Sequence, residues 1–250
     1  GYDAHGRFIT DDNYSGIFHS ANYKGIYRGT KEQQIKLRNM SLEGIPLNLP
    51  SDDMEFWINL YDSKVFDGDQ RFGEFLRTLK ELGLMEKSVI VIFSDHGEEL
   101  FERGRLDHGY SVYEELIHVP LIIYVPQNKE GKVIENQVST VDIMPTILDI
   151  TRVNYDEDLK KQIRGTSLVP LMKGEDLQLN VFSETDYLYM FFKKSIRKPN
   201  GWKFIYSFDT DEKELYNLNK DPREINNLID KEPKIAYELE QELIKEFYGG

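Results

Sequence analysis

"VIVIFSDHGEEL", Val89 to Leu100, decides how the rest of this chain is read. β-Branched residues run into Phe93, a composition that suits a strand buried on both faces, as in a parallel sheet. The run stops at Ser94, and Asp95, His96 and Gly97 follow in succession. In open α/β sheets, ligands bind beyond the carboxyl ends of the strands. Neighbouring residues on a regular strand face opposite ways, but once the chain turns, both side chains can converge on one point. Gly97 can supply the backbone freedom for such a turn. A carboxylate oxygen and a neutral imidazole nitrogen are good ligands for a divalent cation. The same residues also fit a strand-end Asp that caps the next helix beside a His satisfied by a backbone carbonyl. The tetrapeptide alone leaves both readings open. Glu98 and Glu99 read as the acids of a helix start, where the helix dipole favours them, and so as structural.

Outward from this stretch the pattern alternates between helix and strand. Ser51 to Leu82 is helical: Phe56, Leu60, Val65, Phe72, Phe75, Leu76 and Leu79 recur at three and four. Ser51 and Asp52 supply an N-cap signal, Glu55 sits at the capping-box acid, and Gly83 follows as the stop. A shorter polar helix is expected over Lys31 to Met40. Ser111 to Leu116 reads as a short helix and Val119 to Pro126 as a second buried strand. Val138 to Thr151 gives a short segment, then a helix with Pro145 in its first turn. This alternation predicts an α/β fold. After about Leu179 the runs "VFSET", "MFFKKSIRK", "WKFIYSFD" and "KELYNL" predict a small antiparallel sheet. Lys231 to Tyr248 predicts a closing amphipathic helix with i,i+4 charge pairs.

The totals set outer bounds. The chain has 250 residues, 40% hydrophobic and 30% charged, enough for a sizeable core. Its net charge of −13 argues against nucleic acid as a partner, because a phosphate backbone needs a basic face. An anionic substrate would need a metal ion or local cations to override that field. The absence of cysteine excludes disulfides and zinc–thiolate sites. No run approaches the roughly 20 apolar residues of a membrane span.

Five landmarks in order resemble the sulfatase family of the alkaline phosphatase superfamily. Ser94 to Pro126, "SDHGEELFERGRLDHGYSVYEELIHVPLIIYVP", is similar to the family's Ser-Asp-His/Asn-Gly, glycine-rich loop, Tyr-Glu-Glu and Arg/His-Val-Pro-Leu-Ile. Tyr2 to Phe8, "YDAHGRF", resembles its Asp-Pro-His loop, with Ala4 in place of Pro. "VSTVDIMPTILDI" resembles its Val-Ser-x-x-Asp-x-x-Pro-Thr helix, and "IRGTSLVPLMKGE" (Ile163 to Glu175) its Gly-x-Ser-Leu-x-Pro-Leu segment. "KELYNLNKDPREINNL" (Lys213 to Leu228) resembles its C-terminal Glu-Leu-Tyr-Asp-Leu-x-x-Asp-Pro-x-Glu-x-x-Asn-Leu.

The resemblance implies an alkaline-phosphatase-like mixed sheet flanked by helices. Residues 1–178 would be the C-terminal part of the α/β catalytic domain. Residues 179–250 would form a subdomain of small antiparallel sheet plus helix. It implies a sulfuric ester hydrolase acting on small-molecule or glycan sulfate esters, and an exported protein. It assigns Asp95 and His96 to a divalent metal, calcium by family preference, with magnesium or manganese as alternatives. It places His5 and His108 at the ester as catalytic or substrate-binding groups, while His118, before Val119-Pro120, reads as structural. The family's formylglycine nucleophile, within Cys/Ser-x-Pro-x-Arg, and its Asp pair have no match in this sequence. Asp11 and Asp12 follow the histidine loop instead of preceding it. Both features are therefore expected upstream, and this chain alone is expected to be inactive. Two other readings stand beside it: a phosphonate or phosphate ester hydrolase of the same superfamily, and a non-catalytic remnant or half-site subunit.

Overall fold

In the computed structural model, residues 18, 22–126, 128 and 130–249 are described. Helix α1 spans Lys31–Leu42, capped by the Thr30 side chain, which accepts from the Gln33 N–H. Helix α2 spans Ser51–Glu81. Its N-cap is Pro50, without a side-chain cap, so the expected Ser51/Asp52 cap and Glu55 box do not form. Pro50 carries the extended backbone that the cap position needs, which moves Ser51 into the first turn. The stop falls as predicted. Gly83 takes a left-handed φ of 64°, the Gly83 N–H donates to Lys80 and the Leu84 N–H to Leu79, the paired bonds of a Schellman motif. A narrow stripe of α2, with Trp57, Leu60 and Ser63, is buried, while Val65 and Phe75 are exposed.

Strand β1 (Ile90–Phe93) and strand β4 (Leu121–Tyr124) form one two-stranded sheet. Both are half-buried, not buried as expected, with Phe93 and Ile122 exposed. Among the described residues β1 and β4 pair only with each other, without the further neighbours that bury a parallel-type strand. Between them, strand β2 (Glu99–Leu100) pairs antiparallel with strand β3 (Leu106–Asp107). Glu98 and Glu99 therefore open a hairpin and not the expected helix. A short helix α3 (Glu114–Ile117) precedes β4. Helices α4 (Ile143–Thr151), α5 (Glu157–Gln162) and α6 (Val169–Met172) follow. Strands β5 (Val181–Thr185), β6 (Lys193–Arg197), β7 (Trp202–Ser207) and β8 (Glu212–Asn217) make an antiparallel sheet in sequence order, and helix α7 (Pro233–Tyr248) closes the chain. Among the described residues no helix is long and apolar enough to cross a membrane.

The chain divides into two compact units. One holds α1, α2 and the hairpin segment Gly97–His108. Its core joins Leu37, Leu47, Trp57, Leu60 and Leu106. The other holds Val91–His96, Gly109–Tyr124 and the chain from residue 128 onward. In this second unit the sheet alternates its two faces, as period-two geometry demands. Ile196, Phe204 and Leu215, aligned across three strands, pack on Ala236, Leu239 and Leu243 of α7. Ile205 and Tyr216 turn the other way, onto Val112.

Most of the landmark residues are joints of this second unit. Asp142 accepts from the Ser139 N–H at 2.8 Å and from the Thr166 N–H at 2.7 Å, tying α4 to the segment before α6. Thr146 Oγ1 accepts from the Leu168 N–H at 2.8 Å. Gly165 is obligatory there, since a Cβ would lie 2.1 Å from the Val141 carbonyl oxygen. Asp221 accepts from the N–H groups of Ile225 and Asn226, and Asn227 Oδ1 from that of Leu215. Glu114 and Glu224 clasp the ammonium of Lys203, at 3.0 and 2.7 Å, and Lys203 is fully buried. Arg197 completes the cluster at 2.8 Å from Glu114. Burial pushes the Glu224 carboxyl above the usual carboxylate range, against the pull of Lys203.

Candidate functional site

Past β1 the backbone leaves the strand, and Asp95 and His96 lie in the connecting loop. The Ser94 hydroxyl donates to the His96 carbonyl at 2.7 Å, and the His96 N–H donates to Asp95 Oδ1 at 3.1 Å, which folds the loop back on itself. This local turn does what a regular strand forbids. Two adjacent side chains come together, with His96 Nε2 3.8 Å from Asp95 Oδ1. The Asp95 side chain is 78% exposed and that of His96 29%. An oxygen and a nitrogen at this separation, held open to solvent, fit two ligands on one divalent cation, and a hard cation would take further oxygens. The alternative of a helix cap is removed, because no helix follows.

The hairpin of the first unit carries the second group of candidates. Leu106 is fully buried, its N–H donates to Ser41 Oγ at 3.0 Å, and Ser41 sits on α1. The turn uses left-handed backbone at Phe101 (φ 75°) and Gly104 (φ 69°), and the Gly104 carbonyl accepts from Leu47 at 2.7 Å. These contacts fix the register that sets Glu99 opposite Asp107. Like charges directly opposite each other on a sheet are unfavourable by themselves. Both are nonetheless about 99% buried, and Glu98 is 93% buried beside them. Asp107 also adopts φ 90°, with its own Oδ1 accepting from the His108 N–H at 2.9 Å.

Cations answer these carboxylates. Arg38 Nε lies 3.4 Å from Asp107 Oδ2. His108 Nδ1 lies 3.2 Å from Asp107 Oδ1 and 3.4 Å from Glu98 Oε1, with the His108 side chain only 12% exposed. Burial is the largest influence on His108 and favours the neutral ring, but the bond to Glu98 and the charges of Glu98 and Asp107 overcome it, so the imidazole is raised above its ordinary value.

Of the residues expected at the site, Asp95 and His96 are brought together, and His108 sits on buried carboxylates. His5 lies outside the described residues. His118 is exposed and caps α3, its N–H donating to Glu114 at 2.9 Å. Between Ser94 and Tyr113 the positive-φ glycines are Gly104 and Gly109 (φ 102°), where a Cβ would meet the Tyr187 ring at 2.6 Å, and not Gly97 as expected. Sequence reading missed Glu98, Asp107 and Arg38. The signal available for Asp107 was its place directly before His108 in "LDHG". Arg38, far off in sequence, had none.

The chain matches the family model described as Sulfatase over residues 9–153, more than half its length. It also matches the model described as N-sulphoglucosamine sulphohydrolase, C-terminal, over residues 102–248. It is 34% identical over 194 residues to human arylsulfatase K, covering 73% of this chain and 35% of that protein. It therefore spans about a third of that curated relative. A structure solved in complex with its substrate D-glucosamine-2-N,6-O-disulfate is similar with a TM-score of 0.65 and 27% identity, over 85% of this chain and 45% of the other. The phosphonate monoester hydrolase of Agrobacterium radiobacter shares the fold, with a TM-score of 0.66 at 22% identity over 79% of this chain and 42% of the other. Members of the matched family generally use a divalent metal and a formylglycine. With the sulfatase model covering more than half of its residues, this chain belongs to the sulfatase family.

Proposed function

We propose that this chain is part of a metal-dependent hydrolase of sulfate monoesters, with Asp95 and His96 as metal ligands and His108 as a donor to the ester. The observation that carries the reading is the convergence of Asp95 and His96 at the end of β1, 3.8 Å apart and open to solvent. Hydrolysis of such an ester asks for neutralisation of the anion, an in-line nucleophile and a proton for the leaving oxygen. A bound cation would supply the first of these by polarising the ester oxygens. Calcium is the ion favoured here, the rest of its shell coming from residues outside those described. The nucleophile, a formylglycine by family habit, is placed upstream of this chain. His108 Nδ1 lies 3.4 Å from Glu98 Oε1 and 3.2 Å from Asp107 Oδ1. As an imidazolium it donates to an ester oxygen, and it gives a protein of net charge −13 a local positive group where an anion has to sit. His5 belongs to the same proposal as a second histidine near the leaving group.

Two relatives bear on the substrate. One is solved with D-glucosamine-2-N,6-O-disulfate and one family model is that of N-sulphoglucosamine sulphohydrolase, which supports a sulfated amino sugar within a small molecule or glycan. The fold shared with a phosphonate monoester hydrolase makes phosphonate monoesters the control. The test is the complete protein assayed on glucosamine sulfates, an aryl sulfate and a phosphonate monoester, with and without chelator. The expected result is chelator-sensitive release of sulfate. Asp95→Ala is expected to lower turnover about a thousandfold or more, in the range of a lost transition-state contact. The fold is expected to stay largely intact, with any fall in the unfolding midpoint no larger than chelator produces in wild type. Full turnover by Asp95→Ala would refute the metal assignment.

A further inference from the structure

The second unit carries an open cleft of about 490 Å³ that the hydrolase reading leaves unused, between the end of α4, the loop that follows it and α5. Asp95, His96 and His108 are not among its walls. Its volume is that of a small-molecule site. Leu148, Val153 and Ile163 give it an apolar lining, and Arg152, Asn154, Tyr155 and Lys160 bring polar side chains to it. We infer that this cleft binds an anionic sugar residue of a sulfated glycan, with the sugar ring on Tyr155 and its sulfate on Arg152 and Lys160. The choice of a sugar rests on the sulfated amino-sugar reading of the substrate given above, and the anionic character on the side chains themselves.

Three observations carry it. First, the polar groups of the cleft are uncommitted. The side chains of Arg152, Asn154 and Tyr155 make no hydrogen bond or ion pair with other described residues. Lys160 meets Glu157 at 3.6 Å with both side chains well exposed, a pairing worth little that a ligand readily replaces. On the sheet of the same unit, by contrast, Arg197 and Lys203 are tied to acids. Second, Arg152 ends α4 in left-handed backbone, at φ 53°, where glycine costs less than any side chain. Its side chain is exposed, so packing does not explain why an arginine is kept there. Third, the walls are tied together before any ligand arrives. Asp142 and Thr146 accept from the Thr166 and Leu168 N–H groups, and Ser167 Oγ donates to Asp149 Oδ2 at 2.7 Å. A preformed cleft loses less on binding than one that must order itself. Asp149 is the acid among the lining residues. Its Oδ2 is taken by Ser167, which leaves Oδ1 to accept a sugar hydroxyl.

The experiment uses the complete protein, as wild type, Arg152→Gly and Lys160→Gln. The probe is a tetramer of D-glucosamine-2-N,6-O-disulfate, with the neutral tetramer of N-acetylglucosamine as control. Chelator is present, so that turnover does not consume the probe. Amide hydrogen exchange over residues 148–167 is followed against probe concentration, which reads the affinity of this cleft and not of the whole protein. Saturable protection of that segment is expected. The Kd is expected to rise about tenfold in Arg152→Gly, the weight of one charge-assisted hydrogen bond, by a smaller factor in Lys160→Gln, and with added salt in wild type. The unfolding midpoint of Arg152→Gly is expected not to fall, because glycine adopts left-handed backbone without steric cost, so weaker binding there is not lost folding. Absence of protection over 148–167, or the same Kd in both variants as in wild type, would overturn the inference. Equal affinity for the neutral tetramer would overturn it in favour of a site for uncharged sugar. If wild type releases no sulfate from any ester, the hydrolase reading fails by itself. Protection of 148–167 by the probe still decides the cleft, which stands if that protection weakens in Arg152→Gly and falls if it does not.

Discussion

Two clusters of buried charge can be set side by side, one in each unit. In the sheet unit, Lys203 is clasped by Glu114 and Glu224, and Arg197 holds the second oxygen of Glu114. The contacts there join β6 and β7 to α3, and β7 and α3 to the turn that carries Glu224. In the hairpin unit, Glu98, Asp107 and His108 belong to one short stretch, with Arg38 of α1 behind them. The first cluster matches permanent cations with acids and closes a seam. The second holds an imidazole, a group that changes charge near neutral pH, against two acids and at the expense of a like-charged cross-strand pair. Fixed charge of both signs is the signature of a joint. The second cluster ties a titratable ring to acids of its own hairpin.

The comparison can be broken most sharply at Lys203. Lys203→Met leaves Glu114 and Glu224 facing each other in the interior, and is expected to cost about 3–5 kcal/mol in denaturant unfolding of the complete protein. A loss below about 1 kcal/mol would mean that the cluster is not what joins α3 to the sheet. Next in size is Asp221, which accepts from the N–H groups of Ile225 and Asn226 at 2.9 and 2.7 Å. Asp221→Ala is expected to cost about 1 kcal/mol, as for a lost cap. An unchanged unfolding midpoint would show that the turn holds without it. The smallest effect sharpens the other side. His108 is raised above its ordinary value of 6.5 in the folded protein. Its stabilisation is therefore complete below that pH and is lost as pH rises through the folded value. The stability gap between wild type and His108→Asn is expected to narrow from pH 6 to pH 9. A constant gap would mean that Glu98 and Asp107 do not hold the charged ring.

The longer helices and the C-terminal sheet were legible because they rest on local rules, whereas the short helices α5 and α6 were not read. The stop at Gly83 needs a left-handed residue, and the strands from Val181 to Asn217 are short runs separated by turn residues. Asp95 and His96 were legible as a pair because their meeting depends on one turn. The role of Glu98 was not, since acids after a strand look alike whether they open a helix or a hairpin. The half-buried state of β1 and β4 was misread for a similar reason: apolar composition says what a strand would bury, not how many neighbours it has.

The sequence by itself determined the family, the longer helices, the C-terminal sheet and the candidate histidine and aspartate of the metal pair, because each is written in residues close together along the chain. Only the tertiary structure decided which polar landmarks are joints and which acids meet His108. Lys203 meets Glu114 across 89 residues, and Arg38 reaches Asp107 from another helix. Charge is long-ranged in a low-dielectric interior but silent in sequence until folding sets the distance and removes the water.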